Sequence, residues 1–324
     1  YVVGLVVWGW IFDWGRTPLN FHDWADINIP RVDFISDALH YGQLPLHSIS
    51  KRFLHGMTNR FLALPDVMTS PQMILLYWLA PKDFVIADVF LHYTLGFGGL
   101  FLFARKYKLS WLPYTLVFLL FNFNGYIVSH YMVGHATWGG YFIFPLLLLW
   151  LTDFMDGVQG WQWAAKMAFL MFYMVLAGSQ HHFTWWILFL FMTGLFFYRR
   201  IKWIILAIVG GGMMSAVRFL PPLLEINTFL QSGRFTFKGG YASVAELFHS
   251  LTRIRGPLEE LNPAGGASAY WEFNVYIGMI GLVFIIIYGL FYWLKNRDKL
   301  SWLLLPVIGM TILAIGKTYR FVGL

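Results

Sequence analysis

Residues 84–104 read FVIADVFLHYTLGFGGLFLFA and are followed at once by Arg105, Lys106 and Lys108. Some 20 mostly apolar residues are what an α-helix needs to cross a bilayer, and a basic cluster behind such a run is what a cytoplasmic loop carries. Working outward, similar windows occur near 109–127, 138–152, 162–178, 182–198, 202–222, 274–294 and 301–316, and an apolar run already opens at Tyr1. The expected fold is an all-α polytopic membrane protein of about nine transmembrane helices. A single transmembrane domain over 1–324 is expected, as part of a longer chain.

Composition agrees. Of 324 residues 58% are hydrophobic, 20% aromatic and only 12% charged, against about a quarter charged in a soluble domain. That excludes a free cytosolic enzyme, a secreted disulfide scaffold and a disordered tail. No cysteine is present, so there is no disulfide, thiolate metal site or cysteine nucleophile. The net charge of +7 would hint at nucleic acid in a soluble protein; here it is read as loops facing anionic headgroups, with no nucleic-acid partner.

Three basic clusters fix the expected sidedness: Arg105, Lys106 and Lys108; Arg199, Arg200 and Lys202; Lys295, Arg297 and Lys299. Even numbers of expected crossings separate them, so all fall on one side, the cytoplasm. The first outer loop is then 13–83 and the second large one 223–273, with shorter ones near 128–137 and at Ser179 to His181. Within the first loop Val32, Ile35 and Leu39, and again Phe53, Met57 and Phe61, are spaced to share helix faces, as in helices lying on a membrane surface. The short run from Gln72 to Ala80, closed by Pro81, reads as an interfacial or re-entrant helix.

Chemistry gathers on that outer side. Asp23 and Asp26, just beyond a membrane helix, could hold a divalent cation, activate a hydroxyl as general base, or cap a helix. His130 and His135 suit a metal, haem or chlorophyll, or a structural or substrate-contacting role; their spacing of five is not a helical ligand pair. His181 either touches a polar ligand or belongs to a polar turn. Arg218 is placed to meet an interfacial phosphate, to snorkel, or to pair with Glu225. Glu272 is a further carboxylate or a cap. The paired glycines at 239–240 and 265–266 lack the strand-to-helix context of a phosphate loop.

In order, Asp23 and Asp26, Tyr41-Gly42-Gln43-Leu44-Pro45-Leu46, Phe121-Asn122-Phe123-Asn124-Gly125-Tyr126, Gly134-His135-Ala136 and Phe144-Pro145-Leu146 resemble the bacterial YfhO-like membrane proteins, grouped with the GT-C superfamily of glycosyltransferases. Ala177-Gly178-Ser179-Gln180, Phe219-Leu220-Pro221-Pro222-Leu223-Leu224-Glu225 and Glu272 before Val275-Tyr276-Ile277-Gly278 continue the likeness. The resemblance implies a GT-C-like bundle whose large first extracytoplasmic loop carries surface helices. It also implies a polyprenyl-phosphate sugar donor used on the outer face of the bacterial cytoplasmic membrane. Asp23 and Asp26 would be catalytic, with His135, His181, Arg218, Glu225 and Glu272 toward substrate and a divalent cation, Mg or Mn, as candidate cofactor. The implied partners are membrane lipid and lipid-linked sugar. Competing readings are a non-catalytic GT-C-fold subunit scaffolding a larger membrane complex, a pigment or haem protein using His92, His130, His135 or His182, and a transporter.

Overall fold

The computed structural model describes residues 1–43, 69–224, 240–241, 243–253, 273–297 and 301–315. The expected surface helix through Phe53, Met57 and Phe61 lies outside them, as do Glu225 and Glu272. Among the described residues the chain is helical and has no strand; the one pairing of extended backbone is an isolated parallel bridge between Tyr241 and Ile315.

The helices are α1 (Val2–Ile11), α2 (Ile29–His40), α3 (Pro81–Tyr107), α4 (Trp111–Asn122), α5 (Gly125–Met132), α6 (Phe144–Met155), α7 (Trp161–Leu176), α8 (Gln180–Phe196), α9 (Ile201–Met214), α10 (Ala216–Leu224), α11 (Val244–Thr252), α12 (Gly278–Lys295) and α13 (Leu304–Ala314). Among the described residues four stretches are long and apolar enough to cross a membrane: Pro81–Tyr107, Trp111–Met132, Ala136–Met155 and Gly278–Lys295. Every expected window holds helix. In α7, α8 and α9, however, the unbroken helix runs 16, 17 and 14 residues, short of the roughly 20 that span hydrocarbon.

Local chemistry explains the ends of α3. Pro81 opens it where no amide partner is needed, and Asp83 in the first turn and Arg105 and Lys106 in the last complement its dipole. Lys108, in the left-handed region at φ 49°, closes it. The break between α4 and α5 is also written in side chains. Asn124 donates to the carbonyls of Leu120 and Phe121 at 2.9 and 3.0 Å, and its own oxygen accepts from the Ile127 amide at 3.2 Å. One amide therefore ends the first helix and starts the second.

The chain divides into two compact units. The first comprises residues 1–109, 131–184 and 205–234. Its centre is aromatic: Trp8 meets Tyr131 and Phe142 edge-on at 5.4 and 5.8 Å, and Phe12 meets Trp24 at 5.9 Å. Lipid tails are as apolar as leucine, so such contacts hold helices together by close packing and hydrogen bonds rather than by escape from water. Gly99 of α3 serves that packing, since a Cβ there would lie 2.9 Å from the Leu146 amide nitrogen on α6. At the C-terminal end of α3, Lys106 Nζ lies 2.7 Å from both Asp153 and Asp156 beside the α6–α7 connection.

The second unit comprises 110–130, 185–204 and 235–324. There Ser243 caps α11 by accepting from the Glu246 amide, the Ile277 amide donates to the Leu251 carbonyl at 2.9 Å, and the buried Tyr241 hydroxyl donates to the Phe273 carbonyl at 2.8 Å.

Candidate functional site

The loop between α1 and α2 turns sharply, with Asp13, Trp14 and His22 all at positive φ, and then enters a short π-helical turn, Trp24–Asn28, that runs into α2. Asp23 stands immediately before that turn. Its side chain makes no capping hydrogen bond, so helix capping does not explain the carboxylate. Its oxygens instead face imidazoles. His135 Nε2 lies 3.1 Å from Oδ2, and His22 Nδ1 lies 3.3 Å from Oδ1.

This pairing across more than 100 residues is held by backbone. Gly134 has φ +96°, and a Cβ on it would run into the Trp24 amide nitrogen, with the Asp23 carbonyl carbon 2.8 Å away. Only a residue without a side chain lets 131–135 lie against Asp23 and Trp24. Asn28 donates to the Gly134 and Asp23 carbonyls, the Trp24 indole donates to the Tyr131 carbonyl at 3.0 Å, and His22 Nδ1 lies 3.1 Å from the Val133 carbonyl. Trp24 is buried, so its bond is sheltered from water.

From His135 a row of rings continues. Trp138 lies 5.1 Å from His135 and 5.1 Å from His181, with His182 edge-on at 5.7 Å. Ser179 fixes the two turns together by donating to the Thr137 carbonyl and accepting from the Gly140 amide at 2.8 Å. The result is a carboxylate flanked by two imidazoles, beside a half-buried indole. Such a group can take a proton from a hydroxyl while an imidazole orients it, and an indole face can carry a sugar ring.

Of the expected residues, Asp23 and His135 are in contact and His181 joins them through Trp138. Asp26 is exposed, one turn on from Asp23. Arg218 is 6% exposed in α10; its neighbour Phe219 meets Phe183, two residues beyond His181, at 5.4 Å in a tilted pair. His130 belongs to the second unit, where its ring meets Tyr126 at 4.8 Å. Magnesium and manganese favour oxygen ligands, whereas Asp23 is flanked by imidazole nitrogens. Among the described residues no three His, Cys, Asp or Glu side chains gather closely enough to hold one ion. The donors around Asp23 among the described residues do not fit the expected cation.

Sequence reasoning missed His22, Asn28 and Trp24, and also Asp88, whose signal was a lone acid within an apolar window. No family model, curated protein or solved structure matches the chain.

Proposed function

We propose that the protein is a membrane glycosyltransferase of GT-C type, moving a sugar from a polyprenyl-phosphate donor to an acceptor hydroxyl on the outer face of a bacterial cytoplasmic membrane. The contact between Asp23 and His135 supports it most directly: a partly exposed carboxylate between the apolar α1 and the amphipathic α2, oriented by imidazole, beside the indole of Trp138.

In this reading Asp23 accepts the hydroxyl proton of the acceptor as its oxygen attacks the anomeric carbon. The bond from that carbon to the phosphate oxygen breaks, and the lipid phosphate leaves with the electron pair. Attack opposite the leaving group inverts the anomeric centre. His135 donates from Nε2 to hold Asp23 in place, and Arg218 supplies positive charge for the departing phosphate. Nine crossings, with outer loops at 13–83 and 223–273, belong to the same reading. In its favour, Lys106 meets Asp153 and Asp156 at the end of α3 remote from Asp23, as two cytoplasmic connections would.

The test needs no knowledge of the donor. Deleting the gene and profiling envelope glycans and glycolipids by mass spectrometry should remove a defined mass. Wild type should restore it, while Asp23→Asn should lower transfer by about 100-fold or more. Asp26→Asn separates the two acids. Full restoration by Asp23→Asn removes that residue from the chemistry, and an unchanged profile on deletion, with partners co-purifying in stoichiometric amount, favours the scaffolding subunit instead.

A further inference from the structure

Deeper among the helices of the first unit, α3 carries two ionisable groups that the proposed transfer does not use. Asp88 is 5% exposed and His92 is 1% exposed. Asp88 Oδ1 accepts from Gln72 Nε2 at 2.8 Å, while its Oδ2 lies 3.4 Å from His92 Nδ1. That nitrogen is also 2.9 Å from the Asp88 carbonyl, one helical turn back. On the other side of the ring, His92 Nε2 lies 3.5 Å from the Tyr173 hydroxyl of α7. Carboxylate, imidazole and phenol thus form one continuous row of proton-carrying groups.

At its Asp88 end the row meets a pocket. Asp88 lines a pocket with Asn28 and Arg31, closed by Val32, Phe84 and Ala136. The cavity, about 20 Å³, has room for about one water molecule. Asn28 also bonds the Asp23 and Gly134 backbone, so the pocket adjoins the loop that carries Asp23.

A buried carboxylate without a counter-charge costs several kcal/mol, and ionisable groups within spanning helices are rare and pair with one another. Among the described residues these groups face Asp88 and His92. Arg31 and Asn28 come from the α2 side, Gln72 from the 3₁₀ turn Pro71–Tyr77, and Tyr173 from α7. Tyr131 is within electrostatic reach of Asp88, and Gly139 lies close against the imidazole. Arg31 is the permanent cation of this set, and His92 is the one group whose charge can change near neutral pH.

We propose that Asp88 and His92 form a proton-binding pair inside the helix bundle, loaded by a water molecule in the pocket under Asn28 and Arg31. The step balances simply: a protonated water gives up one proton and stays as neutral water, and the pair gains one positive charge. Whether that proton rests on carboxylate or imidazole, the total is the same. Before uptake the Tyr173 hydroxyl donates to His92 Nε2; with the ring protonated, Nε2 donates and the hydroxyl turns to accept.

Counting protons tests this without any sugar substrate, so its outcome is independent of the transferase reading. Purified protein in detergent, taken from about pH 8 to about pH 5 and followed with a pH-indicator dye, should bind about one proton more per chain than Asp88→Asn. An ordinary Asp would not titrate over that range, so a lost proton means that Asp88 shares one with His92. An equal count in the two proteins, with matched elution and unfolding curves, overturns the proposal. If Asp88→Asn does not fold, nitrogen NMR of histidine-labelled wild type decides. The signal missing from His92→Gln should move over the same range, and a signal that stays still refutes the pair. Tyr173→Phe keeps both titrating groups and should keep the count; losing it would place the proton elsewhere.

Discussion

Replacing Gly134 by alanine isolates the contact on which the Asp23–His135 pairing depends. Two costs arise. An L-residue at φ +96° loses about 1–2 kcal/mol in backbone conformation. The new methyl also meets the Trp24 amide nitrogen and the Asp23 carbonyl carbon, which are backbone atoms and cannot swing aside. Overpacking of that kind costs a further ~1–3 kcal/mol. The molecule supplies its own control. Gly157 has φ +99°, is exposed, and has nothing within 4 Å of where a Cβ would lie. Gly157→Ala should therefore lose only the conformational part. Unfolding in mixed micelles, followed by circular dichroism, should separate the two variants by at least about 1 kcal/mol, Gly134→Ala being the weaker. Transfer should fall in Gly134→Ala alone, because the segment bearing His135 must move off Asp23. Equal losses in the two variants, within about 0.5 kcal/mol, would refute the close-approach argument.

Two further outcomes concern stability. Lys106→Met should cost only about 0.5–1 kcal/mol, and less at high salt, because both Asp153 and Asp156 are more than a third exposed; a loss insensitive to salt would point to packing instead. Burial pushes the Tyr241 phenol up to about 12, partly offset by a hydrogen bond with Ser250. The stability it contributes is present below about pH 10, where the unfolded chain also keeps its proton, and is lost as the pH rises from there through about 12. Wild type should therefore lose stability faster than Tyr241→Phe over that interval in parallel unfolding curves, and superimposed slopes would contradict the assignment.

The helices were legible because apolar length is a local property. Residues 84–104 and 274–294 announce α3 and α12 without reference to anything else in the chain. Helix α2 was legible for a related reason: Val32 and Ile35, three apart, are both buried on one face. The crossing count was harder to read, because hydropathy does not register where a helix stops. Asn124 interrupts one apolar run with its side chain, and α7 to α9 end before full membrane thickness.

The candidate site was half legible. Asp23 stood out by its place after a membrane helix, and His135 by its histidine neighbours. That the two touch depends on Gly134 lying against Trp24, a contact between segments 110 residues apart that no periodicity encodes. His22 passed unnoticed because a histidine beside an aspartate is unremarkable in sequence; it matters because the turn places both of them at the Gly134 segment. Asp88 was hidden by averaging, since one acid among some 20 apolar residues barely lowers the hydropathy of the window.

The position of Asp88 along α3 has an electrical consequence. Seven residues beyond Pro81, at 1.5 Å per residue, it lies roughly 10 Å into the helix, about a third of a hydrocarbon core ~30 Å thick. In the proposed orientation, with α3 upright and its Pro81 end at the outer surface, a proton arriving at Asp88 from that surface would cross about a third of the membrane voltage. A full crossing is worth about 2.3 kcal/mol per 100 mV, so an inside-negative potential of that size would favour the loaded pair by ~0.8 kcal/mol, roughly a fourfold change in occupancy. An energised cell would hold this protein more protonated than the same protein in detergent at the same pH.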